Sequence, residues 1–120
     1  MMMTIRIKRA YAPADAGDGF RVLVDRLWPR GLGKEKARID LWEKRVAPSR
    51  ELRKWFGHAP GRFPKFAERY RAELAANAAY PDFLAQVCRH EVVTLVYAAH
   101  DEEHNNAVVL RDSLLSATAE

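Results

Sequence analysis

One run near the C-terminus, Val92 to Ala98 (VVTLVYA), is apolar but for a single threonine. β-Branched and aromatic residues at this density predict a strand, and apolar side chains on both of its faces predict a central strand of a parallel sheet covered on both sides. A second run, Phe20 to Val24, places Phe20, Val22 and Val24 with Leu23 beside them and reads as another buried strand. Both runs stop abruptly in polar residues, DRLWPRG at 25–31 and HDEEHNN at 100–106. Ligands of open α/β sheets sit beyond the carboxyl ends of the strands. If the two strands are parallel neighbours, the two polar clusters therefore face one crevice.

The rest of the chain supplies what such a sheet needs. Thr4 to Lys8 alternates Ile5 and Ile7 with Arg6 and Lys8, a strand with one wet face. Pro13, Asp15, Gly17, Asp18 and Gly19 make a loop of the segment 11–19. A single helical turn is expected at Lys34 to Ala37, then a short extended piece containing Ile39 and Leu41. Ser49 caps a helix whose apolar face is Leu52, Trp55 and Phe56 and which Gly57 ends. The longest helix is expected to start at Ala59 and Pro60, to bury Phe63, Phe66, Ala67, Tyr70 and Leu74, and to fade near Asn77. Pro81 opens another, with Phe83, Leu84, Val87 and Cys88 inward, and a terminal helix carries Val108, Leu110, Leu114 and Leu115. The fold class is α/β: a small single domain spanning 1–120, with a mostly parallel sheet of about three to four strands flanked by about four to five helices.

Composition narrows the function classes. No apolar run approaches the length that crosses a bilayer, and the N-terminus shows no apolar region followed by a small-residue cleavage site. A cytoplasmic location without membrane partners is the expectation. The lone Cys88 has no disulfide partner in the chain and no positioned base, so it reads as packing. The net charge of +4 is uneven, with 14 Lys/Arg against 7 Asp/Glu in residues 1–60 and 6 against 9 in residues 61–120. A basic half suits an anionic small molecule or a nucleic-acid backbone, and it equally suits a soluble surface. No helix-turn-helix, zinc-finger or aromatic-basic RNA motif accompanies the charge.

Chemistry concentrates in the two clusters. Arg26 and Arg30 can hold a phosphate or carboxylate through forked hydrogen bonds that lysine does not reproduce. Asp25 can act as a base or orient a basic partner, and Trp28 can border the ligand or plug the rim of the core. In the second cluster Asp101, Glu102 and Glu103 suit capping of the terminal helix. His104 carries the side chain that exchanges protons near neutrality, and Asn105 can orient it or hold a substrate oxygen. His58 can point into the site or stand at the surface. His100 and His104 are four apart, but no other ligand spacing supports a metal, and no cofactor motif is present. Three readings stay open: an anion-binding site with hydrolase or transferase chemistry, a nucleic-acid-binding or regulatory module, and a structural ion-pair cluster of Asp25 with the arginines.

Four stretches, VLVDRLWPRGLGKEKARIDLW, APSRELRKWFGHAP, RFPKFAERYRAEL and TLVYAAHDEEHNNAVVL, resemble in order the motifs of the DUF488 family in its short YeaO-like branch. The resemblance covers nearly all of residues 5 to 115. It implies a compact α/β domain and no established activity. The matching positions are Asp25, Arg26, Trp28, Pro29, Arg30 and Gly31, then Trp55, Gly57 and His58, then Tyr97, Asp101, His104 and Asn105. Through it, Tyr97 and Asp101 join Arg26, Trp28, Arg30, His58 and Asn105 as expected ligand contacts, with Asp25 and His104 as proton carriers. Longer relatives have a cysteine-histidine-arginine sequence before the terminal helix, where Glu103 to Asn105 stand here, so no thiol chemistry carries over. Short members more often have Arg or Lys in place of His100, which further lowers a metal reading.

Overall fold

The structure, a computed structural model, describes residues 3–119. Met1, Met2 and Glu120 of the domain read from the sequence lie outside the described residues. Four strands, β1 (Thr4–Arg9), β2 (Phe20–Leu23), β3 (Leu41–Trp42) and β4 (Val92–Tyr97), form one parallel sheet in the order β1-β4-β2-β3. The most apolar run is thus central, as its composition predicts. Among the described residues five α-helices accompany the sheet: α1 (Lys34–Ala37), α2 (Arg50–Phe56), α3 (Phe63–Ala76), α4 (Tyr80–Val87) and α5 (Asn106–Thr118).

The two faces of the sheet are covered by different means. Val22, Val93, Leu95 and Tyr97 join Leu52, Phe56, Phe66, Tyr70, Leu110 and Leu114 from the helices in one large core. On the other face, Leu23, Val96 and Ala10 meet only Trp28, Leu32, Ile39 and Trp42. The remainder of that second face is polar. Arg21, which interrupts the apolar run of β2, is 3% exposed, and its guanidinium lies 2.6 Å from Asp18, also 3% exposed. Lys8 of β1 bonds both oxygens of the same carboxylate at 2.9 and 3.0 Å. Thr94 of β4 donates to the Asp18 carbonyl at 2.7 Å. One loop residue therefore clasps three strands.

Local chemistry explains the helix ends. The Ser49 hydroxyl accepts the Leu52 N–H at 3.1 Å, and Glu73 of α3 accepts the Ser49 N–H at 2.8 Å and its hydroxyl. Gly57 ends α2 in the left-handed region, with φ 54°. Ser49→Ala is expected to lower stability by about 1–2 kcal/mol, since the cap is lost and Glu73 keeps only one of its two partners. Urea unfolding reads this directly.

Three expectations need correction. The longest helix begins at Phe63, because Pro60–Arg62 tighten into a separate 3-10 turn. Cys88 caps α4 and is exposed, since the helix ends at Val87 and the chain turns away. On α5 the inward residues are Ala107, Val109, Leu110 and Leu114, while Leu115 is 40% exposed. Hydrophobicity alone could not fix the rotation of a helix rich in leucine and valine all round.

Candidate functional site

Register brings the two polar clusters together. β2 and β4 pair in parallel with Leu23 opposite Val96, so Asp25 and Ala98 leave the sheet side by side. The Ala98 N–H donates to Asp25 Oδ2 at 2.9 Å, and Asn106 Nδ2, in the first turn of α5, donates to Asp25 Oδ1 at 3.1 Å and to the Val24 carbonyl at 3.2 Å. Trp42 Nε1 donates to the Asp25 carbonyl at 2.8 Å. This one residue ties the ends of β2, β3 and β4 to α5. Burial pushes its carboxyl up from the usual aspartate value, opposed by the hydrogen bonds from Ala98 and Asn106 and by the charges of Arg53 and His58.

Above Asp25 opens a cleft of about 730 Å³. Its floor is apolar, with Phe56, Phe66, Ala47 and Ala98. One wall is the loop after β2, from Asp25 to Arg30, held by Trp28 Nε1 on the Leu32 carbonyl at 2.7 Å and by the Tyr11 hydroxyl on the Arg30 carbonyl at 2.8 Å. α2 contributes Arg53, and His58 follows from its C-terminal turn. His58 has φ 57°, a left-handed conformation that a residue with a Cβ adopts at a cost. The third wall holds His100, Asp101 and Asn105.

The charged side chains of the cleft are unevenly satisfied. Arg26 reaches the Pro48 carbonyl at 3.3 Å, and among the described residues neither it nor Arg30 nor Arg53 pairs with a carboxylate. The ion-pair cluster of Asp25 with Arg26 and Arg30 therefore does not form. Its counterpart is the Lys8–Asp18–Arg21 clasp on the far side of the sheet. Asp101 accepts the N–H groups of Glu103 and His104 and the His104 ring at 2.9 Å. Those bonds hold its carboxyl below the usual aspartate value.

Of the residues singled out from the sequence, Asp25, Arg26, Trp28, Arg30, His58, Asp101 and Asn105 all line the cleft. His104 stands behind Asp101 with its ring edge-on to Phe63 at 5.2 Å. Tyr97 is 1% exposed within the core, where burial pushes its hydroxyl up. Asn105 is the N-cap of α5: its Oδ1 accepts the Val108 N–H at 3.0 Å and its Nδ2 donates to the Asp101 carbonyl. Of the acidic run 101–103, Asp101 accordingly caps its own turn rather than the helix. Sequence reasoning missed Arg53 and Asn106. Nothing in the sequence sets Arg53 apart from the other charges of its helix, and the place of Asn106 beside Asn105 in the polar run 100–106 is the only signal that it could share a role. Among the described residues no group of three or more His, Cys, Asp or Glu could hold a metal ion, and no helix is long and apolar enough to cross a membrane.

The family model described as the inactive DUF488-N3 subclade matches residues 4–120. The chain is 44% identical over 114 residues to the uncharacterized protein YeaO of Escherichia coli, covering 95% of this chain and 99% of that protein. It is also 44% identical over 110 residues to the uncharacterized protein Mb3100c of Mycobacterium bovis, covering 92% of each. No solved structure matches.

Proposed function

The chain belongs to the DUF488 family, and from that premise and the geometry of the cleft we propose that it binds an anionic small molecule, a nucleotide or phosphorylated metabolite, at the C-terminal ends of β2 and β4. The observation that carries the reading is three arginines, Arg26, Arg30 and Arg53, bordering an apolar floor without a carboxylate partner among the described residues. Guanidinium forks match phosphate oxygens, and Phe56, Phe66 and Trp28 suit the apolar body of such a ligand. His58 and Asp101 stand within reach of its polar edges. The volume lies in the range of small-molecule sites.

Binding without turnover is favoured. Both carboxylate oxygens of Asp25 already accept hydrogen bonds that hold the strand ends together, and the family model is described as inactive. A second reading rests on the raised carboxyl of Asp25 beside the charges of Arg53 and His58: Asp25 would take a proton from water or a hydroxyl in a hydrolysis or group transfer.

Isothermal titration with AMP, ADP and ribose 5-phosphate tests both. At least one should bind, and Arg26→Ala and Arg53→Ala should each weaken it about 10- to 100-fold, the worth of a charged hydrogen bond, with the melting temperature little changed. Absence of binding by all three, or equal binding by the variants, overturns the anion site. Release of phosphate or base that Asp25→Asn abolishes, while its melting temperature and ligand binding are kept, establishes the second reading over the first.

A further inference from the structure

The positive charge of this chain has one source. Residues 50–71 hold 7 Lys/Arg against Glu51 and Glu68, whereas the rest of the chain holds 13 Lys/Arg against 14 Asp/Glu. The excess therefore belongs to the α2–α3 hairpin, crossing the midpoint at which the sequence divides into a basic and an acidic half.

Within the hairpin, Lys65 and Arg69 are four apart on α3 and Arg62 stands in the 3-10 turn that leads into it, three before Lys65, so the three line one side of the hairpin. Trp55 of α2 lies half-buried against it, with the Arg69 guanidinium 4.5 Å and the Arg62 guanidinium 5.6 Å from its ring. Arg62 also donates to the Trp55 carbonyl at 2.6 Å. Among the described residues the one ion pair inside the hairpin is Lys65–Glu68 at 3.5 Å, with both side chains more than half exposed. The arginines are thus held in place by an aromatic ring rather than neutralised by carboxylates. Arg50 and Lys54 are exposed on α2 and extend the field.

We propose that this hairpin face binds a nucleic-acid backbone without sequence preference. Fixed, unneutralised guanidiniums suit phosphate oxygens, and an arginine–tryptophan stack also offers a flat surface to unpaired bases. From Arg62 to Arg69 the stripe runs about 10 Å. That length covers about three phosphates of one strand. Neither Arg62, Lys65 nor Arg69 lines the cleft, so the proposal stands apart from the small-molecule reading.

Fluorescence anisotropy with a labelled 20-nucleotide oligo-dT and a 20-base-pair duplex, titrated with NaCl from 50 mM, tests it. Binding should show a log–log salt slope of about −2 to −3. Arg62→Gln with Arg69→Gln should lower affinity at least tenfold and flatten the slope, while Arg111→Gln on α5 should change neither. Lys65→Gln with Arg69→Gln leaves the Arg62–Trp55 bond in place and should weaken binding in the same direction. No binding of either oligonucleotide at 50 mM salt, or variants that bind as the unaltered protein does, overturns the proposal. So does competition by poly-glutamate as strong as that by unlabelled DNA of equal charge.

Discussion

Replacing Asp18 by alanine is expected to destabilise the fold by about 3–5 kcal/mol, because it strands a buried guanidinium without its counter-ion. Arg21 is buried in β2, and its remaining bonds run from Nε and Nη2 to the Ala37 carbonyl at 3.1 and 2.8 Å, which satisfy donors but not charge. Lys8 would lose the same carboxylate. Apolar replacement of both partners, Asp18→Leu with Arg21→Met, should be less damaging than Asp18→Ala alone, since no charge is then left behind. Guanidinium-chloride unfolding of the two variants separates these cases. A double variant as unstable as the single one would show that the carboxylate matters for its bonds to the loop and not for its charge.

The pH dependence follows with a definite sign. Burial works against the charged form of Asp18, but the bonds from Lys8, the Asp15 amide and Arg21 outweigh it and hold the carboxyl below its ordinary value. A depressed folded-state value means that its contribution is present above the unfolded value and lost as pH falls through the folded one. The gap between the unaltered protein and Asp18→Ala should therefore be full at neutrality and narrow below about pH 4. Asp25 works in the opposite sense. Its raised value means that ionisation as pH rises through the acid range weakens the fold, partly offsetting the gain from Asp18.

Gly19→Ala should be comparably severe, at about 3 kcal/mol or more. Gly19 has φ 64° and ψ −133°, a conformation almost confined to glycine, and a Cβ there would lie 2.3 Å from the Val92 carbonyl oxygen. The obstacle is the backbone of the central strand, which cannot yield without breaking its register. Gly33→Ala is the control. Gly33 has φ −72°, and a methyl group there would meet nothing within 4 Å, so its stability should stay within about 0.5 kcal/mol. If the two alanine variants melt alike, close approach at Gly19 is not what requires glycine.

The legibility of the chain divides along physical lines. The sheet was readable because VVTLVYA and FRVLV are short apolar runs with abrupt polar ends, and parallel neighbours must discharge those ends into one place. That is why six of the nine expected site residues, Asp25, Arg26, Trp28, Arg30, Asp101 and Asn105, meet in one cleft, which His58 joins from the turn after α2. Arg21 was not readable as buried, because its partner sits in a stretch whose glycines, proline and aspartates look like an ordinary loop. Only the folded register brings Asp18 over Lys8, Arg21 and Thr94. Arg53 and the rotation of α5 were hidden for a related reason: on a helix, the neighbours across the interface decide which side chains face inward. His58 could be named from its place after Gly57, but not its left-handed backbone, which depends on how the α2–α3 turn closes.

The strand order has a consequence for how the molecule is made. β4 lies between β1 and β2, yet it begins at Val92, so during synthesis the first two strands have no central partner until about 70 residues after the end of β2 have followed them out of the ribosome. At ordinary elongation rates that interval is on the order of ten seconds. Throughout it, the inner edges of β1 and β2 lack their partner, and charged residues such as Arg6, Lys8 and Arg21 work against strand-to-strand association. The strand that joins β1 to β2 is thus the one made after both.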